Sequence, residues 1–339
     1  MKKIIKKGAM LLALATLTLS VAACGGNATE TDNNTDASGS GKAAIKIGIS
    51  QIAEHAALDA SRDGFLDRLE EHGYKEGENL TVVYQNAQGE QANAQTIAQT
   101  FASDSSLDLI LAIATPTAQS IVNLIDSVPV LVTAVTDPED AGLVASNENP
   151  GGNVSGTSDL NPIKEQLDLL QQLVPDVETV GIMYAAGEAN SIFQAGLVEA
   201  RLEELGLKAE HYTVSHSNDL QSVIESSIGK VDAWYLPTDN MFADAMGTVS
   251  QVAKPAKMPV IAGEENMVNQ GALATVSLDY YGLGEMTADM AIEILEEGKD
   301  PGTMPIRYQE DPTIFINEEF AEAIGVEIPA ELLEQAGGE

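Results

Sequence analysis

Cysteine is almost absent: Cys24 is the only one among 339 residues. An intramolecular disulfide is therefore excluded, and so is a metal site built on cysteine thiolates. Basic residues are scarce too, with 17 Lys and Arg against 52 Asp and Glu and a formal net charge of −35. Nucleic acid needs a basic face for its phosphates, and an anionic membrane surface needs the same, so this balance argues against both partners. It implies a soluble, self-repelling surface. No stretch beyond the first 23 residues is apolar enough to cross a bilayer, which takes ~20 consecutive residues. The four histidines, His55, His72, His211 and His216, have no metal-site spacing. The chain has no Gly-x-Ser-x-Gly elbow, P-loop or His-Glu-x-x-His motif. Gly282-x-Gly284 lacks the third glycine of a dinucleotide fingerprint. No catalytic residue, metal or cofactor is expected, and the chain does not read as an enzyme.

What is present begins with Lys2, Lys3, Lys6 and Lys7, followed by an apolar stretch over 9–23. This is the pattern of a secretory signal peptide. The segment Val21-Ala22-Ala23-Cys24 resembles a bacterial lipobox, which makes Cys24 the first residue of a mature chain carrying a diacylglyceryl group. Residues 25–42 are rich in Gly, Asn, Thr, Asp and Ser and cannot bury a core, so 24–42 reads as a flexible tether. The expected location is the outer face of a bacterial cell membrane, held there by lipid.

The body of roughly 295 residues is long enough for two lobes. Strand-like runs at 45–50, 80–84, 109–113 and 130–134 alternate with helix-like runs at 58–69, 91–101 and 116–124. After Pro150-Gly151-Gly152, helices at 162–173, 191–205 and 220–228 alternate with strands at 180–184, 209–214 and 233–236. Strands at 260–262 and 272–276, a helix at 283–295, and a last strand and helix over 313–324 complete the body. Such alternation predicts α/β lobes with parallel sheets covered on both faces. Arg68-Leu69-Glu70-Glu71-His72-Gly73 recurs as Arg201-Leu202-Glu203-Glu204-Leu205-Gly206, and Val128-Pro129-Val130 as Met258-Pro259-Val260. The nearly equal offsets predict two similar lobes. Trp234, the only tryptophan, sits inside a strand and is expected in the core.

In open parallel sheets, ligands bind beyond the carboxyl ends of the strands. The polar residues cluster there: Gln51 and His55; Thr115, Pro116 and Thr117; Thr136 and Asp137; Asp159; Glu188, Asn190 and Ser191; Thr238, Asp239 and Asn240; and Asp279. Thr115 reads as a helix N-cap with Pro116 after it, and Asn190 or Ser191 reads as another cap. Helix N-termini suit a carboxylate, while Asp137, Asp159, Glu188, Asp239 and Asp279 suit an ammonium. A zwitterion satisfies both. Asp159 and Asp239 are the leading ammonium partners, with helix capping as the alternative role for Asp239.

Several segments together resemble a known family. They are Gln51-x-x-x-His55-x-x-Leu58-Asp59, Ala114-Thr115-Pro116-Thr117-Ala118-Gln119, Thr136-Asp137-Pro138 and Pro150-Gly151-Gly152-Asn153-Val154-Ser155-Gly156 with Asp159. Glu188-x-Asn190-Ser191, Pro237-x-Asp239-Asn240 and Leu278-Asp279-Tyr280-Tyr281-Gly282-Leu283-Gly284 continue the set. The chain is similar to solute-binding lipoproteins of ABC importers of the tryptophan/tyrosine-binding type. The resemblance implies a type I periplasmic-binding fold, with two Rossmann-like lobes joined by three crossings around a ligand cleft. It places the first lobe at 43–157 plus 278–308 and the second at 158–277 plus 309–339. It implies a monomer that captures an aromatic amino acid by lobe closure and hands it to an ABC permease and its ATPase subunits. The sequence departs from the family at Ile52, where an aromatic is common, and at Ala56, where proline is common. These departures leave a branched-chain or smaller solute as the alternative. A sensor or adhesin on the same fold is a further alternative.

Overall fold

The structure, a computed structural model, describes residues 42–336. The predicted signal peptide, Cys24 and nearly all of the predicted tether lie outside the described residues. Within them, two sheets each carry their own buried core.

The first lobe runs β1 (Ile45–Gln51), α1 (Ala56–Glu71), β2 (Leu80–Asn86), α2 (Gln91–Ala102), β3 (Leu109–Ile113), α3 (Thr115–Val122), β4 (Val130–Val135) and β5 (Val154–Ser158). Its five strands are all parallel, in the order β2-β1-β3-β4-β5. The second lobe begins with α4 (Ile163–Leu173), β6 (Thr179–Ala185), α5 (Ala189–Leu205), β7 (Lys208–Val214), α6 (Leu220–Ser227) and β8 (Ala233–Leu236). It continues with α7 (Asn240–Asp244), α8 (Met246–Ala256), β9 (Val260–Ala262), α9 (Glu265–Asn269) and β10 (Ala274–Ser277). The chain then returns to the first lobe for α10 (Tyr280–Glu297). It ends in the second with β11 (Thr313–Ile316), α11 (Glu318–Ile324) and α12 (Ala330–Gln335).

The second sheet has the order β11-β10-β9-β8-β6-β7. Read from the other edge, β7-β6-β8-β9-β10 repeats the first-lobe order strand for strand, so the two lobes have the similarity that the sequence repeats predict. The repeated Arg-Leu-Glu-Glu segments close α1 and α5, the helices after the first strand of each lobe. One strand departs from the expected parallel pattern: β11 runs antiparallel to β10, with Ser277 opposite Thr313. The reason is its route. β10 ends at the cleft, the chain leaves for α10, and it re-enters at that same end, so β11 runs away from the cleft.

Two elements escape the sequence reading. Val154–Ser158 reads as a polar junction but is a fully buried strand. Its hydroxyls are satisfied internally: Ser155 Oγ donates to the Met304 carbonyl, Thr157 Oγ1 to Thr133 Oγ1, and Ser158 Oγ to the Thr136 carbonyl. A helix start is expected just after Asp239, and α7 begins there; the second helix over Met246–Ala256, with Gly247 and Pro255 in it, is not expected. Burial of Met246, Val249, Ser250 and Ala253 on one face nevertheless holds α8 together.

The helix α10 belongs to the first lobe because it packs along α1. Phe65 and Leu69 of α1 and Leu283 of α10 are fully buried in that core. Gly64 and Gly284 let the two helices touch: a Cβ at Gly64 would overlap the backbone oxygen of Tyr281, and one at Gly284 that of Ser61. Gly284 thus serves helix packing. Trp234 is wholly buried, its Nε1 donating to Ser227 Oγ at 2.8 Å, so it is a core residue as expected.

Candidate functional site

The carboxyl ends of both sheets face each other across a narrow, partly open cavity. Its polar lining comes from strand ends: His55 after β1, Thr136 after β4, Asp159 after β5, Asn190 after β6, and Thr238, Asp239 and Asn240 after β8. Its apolar lining is Ala57, Leu58, Ala134, Ala243 and Met267, with Tyr280 at the start of α10. The backbone around Ala134 is specialised for this place. Its φ is +52°, and the β4–β5 register slips between Val132 and Val135, a bulge that aims Thr136 into the cleft.

The lobes touch. Gln194 Nε2 of α5 donates to Thr136 Oγ1 of the first lobe at 3.0 Å and to Thr238 Oγ1 at 2.7 Å. His55 Nε2 lies 3.4 Å from Asn240 Oδ1.

Three buried carboxylates, Asp159, Asp239 and Glu264, line the cavity, and no Lys or Arg does. They differ in what their oxygens already accept. Asp239 caps α7, with Oδ1 accepting from Phe242 N at 2.9 Å and Oδ2 from Ala185 N at 2.7 Å. Glu264 caps α9 by accepting from Met267 N and Asn266 N. Asp159 accepts the Tyr280 hydroxyl at Oδ2, 2.8 Å away, while its buried Oδ1 has no partner among the described residues. Burial pushes the Asp159 carboxyl up to about 6, with the Tyr280 hydroxyl, the nearby Thr136 hydroxyl and the residue's own backbone N–H pulling it back. Burial likewise pushes Glu264 up to about 7. Asp239 is raised by burial against the pull of the backbone N–H groups that it accepts. Asn190 Oδ1 and His55 Nδ1 are also buried without partners among the described residues.

Other predicted site residues lie elsewhere. Gln51 turns into the first lobe, donating to the Ala53 carbonyl and to Asp59 Oδ1. Thr115, Pro116 and Thr117 are buried in the first turn of α3, and Thr117 Oγ1 donates to the Ile113 carbonyl. The N-cap of α3 is Ala114 rather than Thr115, and that of α5 is Glu188 rather than Asn190 or Ser191. Asp137 Oδ1 accepts from Glu139 N, Asp140 N and Asn147 Nδ2, closing its own turn. Asp279 is exposed and caps α10 through Tyr281 N. Ser191 is buried, its Oγ accepting from Asn190 Nδ2, and its hydroxyl helps to hold down the pKa of the nearby Asp239. Glu188 binds Asn240 N, Asn240 Nδ2 and Met241 N, joining the starts of α5 and α7; burial and then the nearby Asp239 push its carboxyl up to about 8. It faces a neighbouring groove that also holds Ile52.

Glu264 and Tyr280 join the site without being among the residues that the sequence predicts for it. Glu264 follows β9, and its strand-end position is the signal that marks it. Tyr280 stands beside the more polar Asp279, which draws the sequence reading instead. Ala57, Leu58, Ala134, Ala243 and Met267 carry no sequence signal, because such residues read as core.

Comparison with known proteins places this geometry. Residues 46–339 match the family model described as ABC transporter substrate binding protein. A tyrosine-binding protein of Clostridioides difficile is 42% identical over 83% of this chain and 81% of its own length. The ABC domain from Streptococcus pneumonia in complex with L-Trp superposes with a TM-score of 0.84, at 34% identity over 87% of this chain and 99% of that one. A substrate binding protein with adhesive properties from Clostridium difficile, in its ligand-free, open structure, is 43% identical over 86% of this chain and 98% of that one, yet its TM-score is only 0.66. The chain is thus closer in shape to the less similar but ligand-bound protein, which agrees with lobes in contact. With its two α/β lobes closed on a carboxylate-lined cavity, the chain belongs to the ABC transporter substrate-binding proteins.

Proposed function

We propose that this protein captures an aromatic amino acid outside the cytoplasm and delivers it by lobe closure to an ABC permease and its ATPase subunits. The observation that carries this reading is the unpartnered, buried Oδ1 of Asp159 in a cavity without Lys or Arg. A buried carboxylate is costly unless a counter-charge meets it, and the ammonium of an amino acid supplies one. Asn190 Oδ1 adds a second acceptor. The apolar residues of the lining take the side chain. The tyrosine and L-Trp of the relatives support an aromatic one. The departure at Ile52 bears little on this, since Ile52 faces the neighbouring groove.

Calorimetry on the protein from residue 42 onward, against the common amino acids and several sugars, tests the proposal. Binding of an aromatic amino acid is expected, and binding of a sugar with no amino acid overturns it. Attachment through a lipid on Cys24 belongs to the same reading. Cys24→Ser is expected to leave the precursor uncut or release the protein, and unchanged membrane retention with lipid label overturns it.

A further inference from the structure

Orientation at His55 follows from its neighbours. Asn240 Nδ2 donates to Glu188 Oε2 at 2.6 Å, which turns Asn240 Oδ1 toward His55. An oxygen facing His55 Nε2 makes that nitrogen the proton-bearing one, so in the neutral ring Nδ1 is a lone-pair acceptor. That atom is buried and unpartnered among the described residues, on a side chain lining the cavity.

The sheet sets His55 apart from the ammonium site. His55 follows β1 and Asp159 follows β5, and the order β1-β3-β4-β5 puts three strand spacings between them. That is about 14 Å along the sheet edge at ~4.8 Å per strand. The two side chains enter the same cavity from different strands. A ligand anchored at Asp159 reaches His55 with the far end of its side chain.

We propose that His55 selects the ligand side chain, its Nδ1 accepting a hydrogen bond from the phenol O–H of tyrosine or the indole N–H of tryptophan, so that phenylalanine is discriminated against. This rests on the amino-acid reading above and goes beyond it in naming the specificity residue. Phenylalanine fills the same apolar space but leaves Nδ1 desolvated and unpaired, the arrangement by which sites built to bind a donor reject analogues that lack it. Burial keeps the imidazole neutral by lowering its pKa below the ordinary value, against the opposing effects of Asn240, Asp59 and Asp244.

The test is titration of L-tyrosine, L-tryptophan and L-phenylalanine into the wild type and His55→Leu. The wild type is expected to bind phenylalanine about 10- to 100-fold more weakly than the better of the other two. In His55→Leu that ratio is expected to fall to within about threefold, whatever common loss comes from the broken contact with Asn240. If His55→Leu does not fold, His55→Ala is titrated in its place and read in the same way. Equal binding of all three by the wild type overturns the role of His55 and leaves the amino-acid reading standing. A preference retained in the variant does the same. Binding of no aromatic amino acid overturns both.

Discussion

The hydroxyl of Tyr280 lies 2.8 Å from Oδ2 of Asp159, joining two of the segments that cross between the lobes. Asp159 leaves β5 and Tyr280 opens α10. The bond holds the carboxylate so that one oxygen is used and the other, Oδ1, remains buried without a partner among the described residues. Asn161, which donates to the Asp159 carbonyl and accepts from Leu278 N, ties the same two crossings.

Asp159→Asn is expected to weaken amino-acid binding by several-hundred-fold, corresponding to ~3–5 kcal/mol for an uncompensated buried partner. Tyr280→Phe keeps the charge and loses only the orienting hydroxyl, so about tenfold is expected. Calorimetry checks both, and near wild-type affinity in Asp159→Asn removes it as the ammonium partner.

Asp239→Ala acts on folding. It strips the α7 cap and leaves Ala185 N–H unpaired, at a cost of ~1–3 kcal/mol. Urea unfolding reads this. Per folded molecule, affinity is expected to change far less than in Asp159→Asn, and a larger loss of binding than of stability argues against a capping role.

Affinity and ligand-free stability are expected to depend on pH in opposite directions. Protonating Asp159, whose carboxyl sits at about 6, removes the charge the ammonium needs. Affinity should be level above about pH 7 and fall up to about tenfold per unit below 6. For stability, Asp159 and Glu264 hold their protons more tightly folded than unfolded, where the ordinary values are 3.8 and 4.5. Their contributions are complete below those values and are lost as pH rises through about 6 and about 7. His55 behaves oppositely: its pKa is lowered from 6.5, so its contribution is complete above 6.5 and lost on acidification. Thermal melts from pH 4 to 8 should show a smaller decline with rising pH in Asp159→Asn than in the wild type. Parallel profiles speak against the raised Asp159 carboxyl.

Gly284→Ala places a Cβ against the Ser61 carbonyl oxygen, backbone that cannot swing aside. Overpacking of this kind costs ~1–3 kcal/mol or more. A lowered melting temperature is expected, and an unchanged one shows that α1 and α10 can separate without loss.

Local pattern made the α/β alternation, the lobe repeat and the strand-end position of Thr136, Asp159, Asn190, Thr238, Asp239 and Asn240 legible. Hydrophobic period and strand-end polarity are written in consecutive residues. What remained was decided by partners distant in the chain. Asp159 and Asp239 look alike in sequence, but Asp239 spends both oxygens on Ala185 N–H and Phe242 N–H, and Asp159 spends one on Tyr280. Asp137 closes its own turn and Asp279 faces solvent. Val154–Ser158 became a buried strand because Thr133, Thr136 and Met304 take its hydroxyls, and β11 reversed because the chain returned to the cleft end. A carboxylate's identity is local, but whether its lone pairs are already engaged depends on every group that folding brings beside it, and so only the tertiary structure distinguished the free acid from the capping ones.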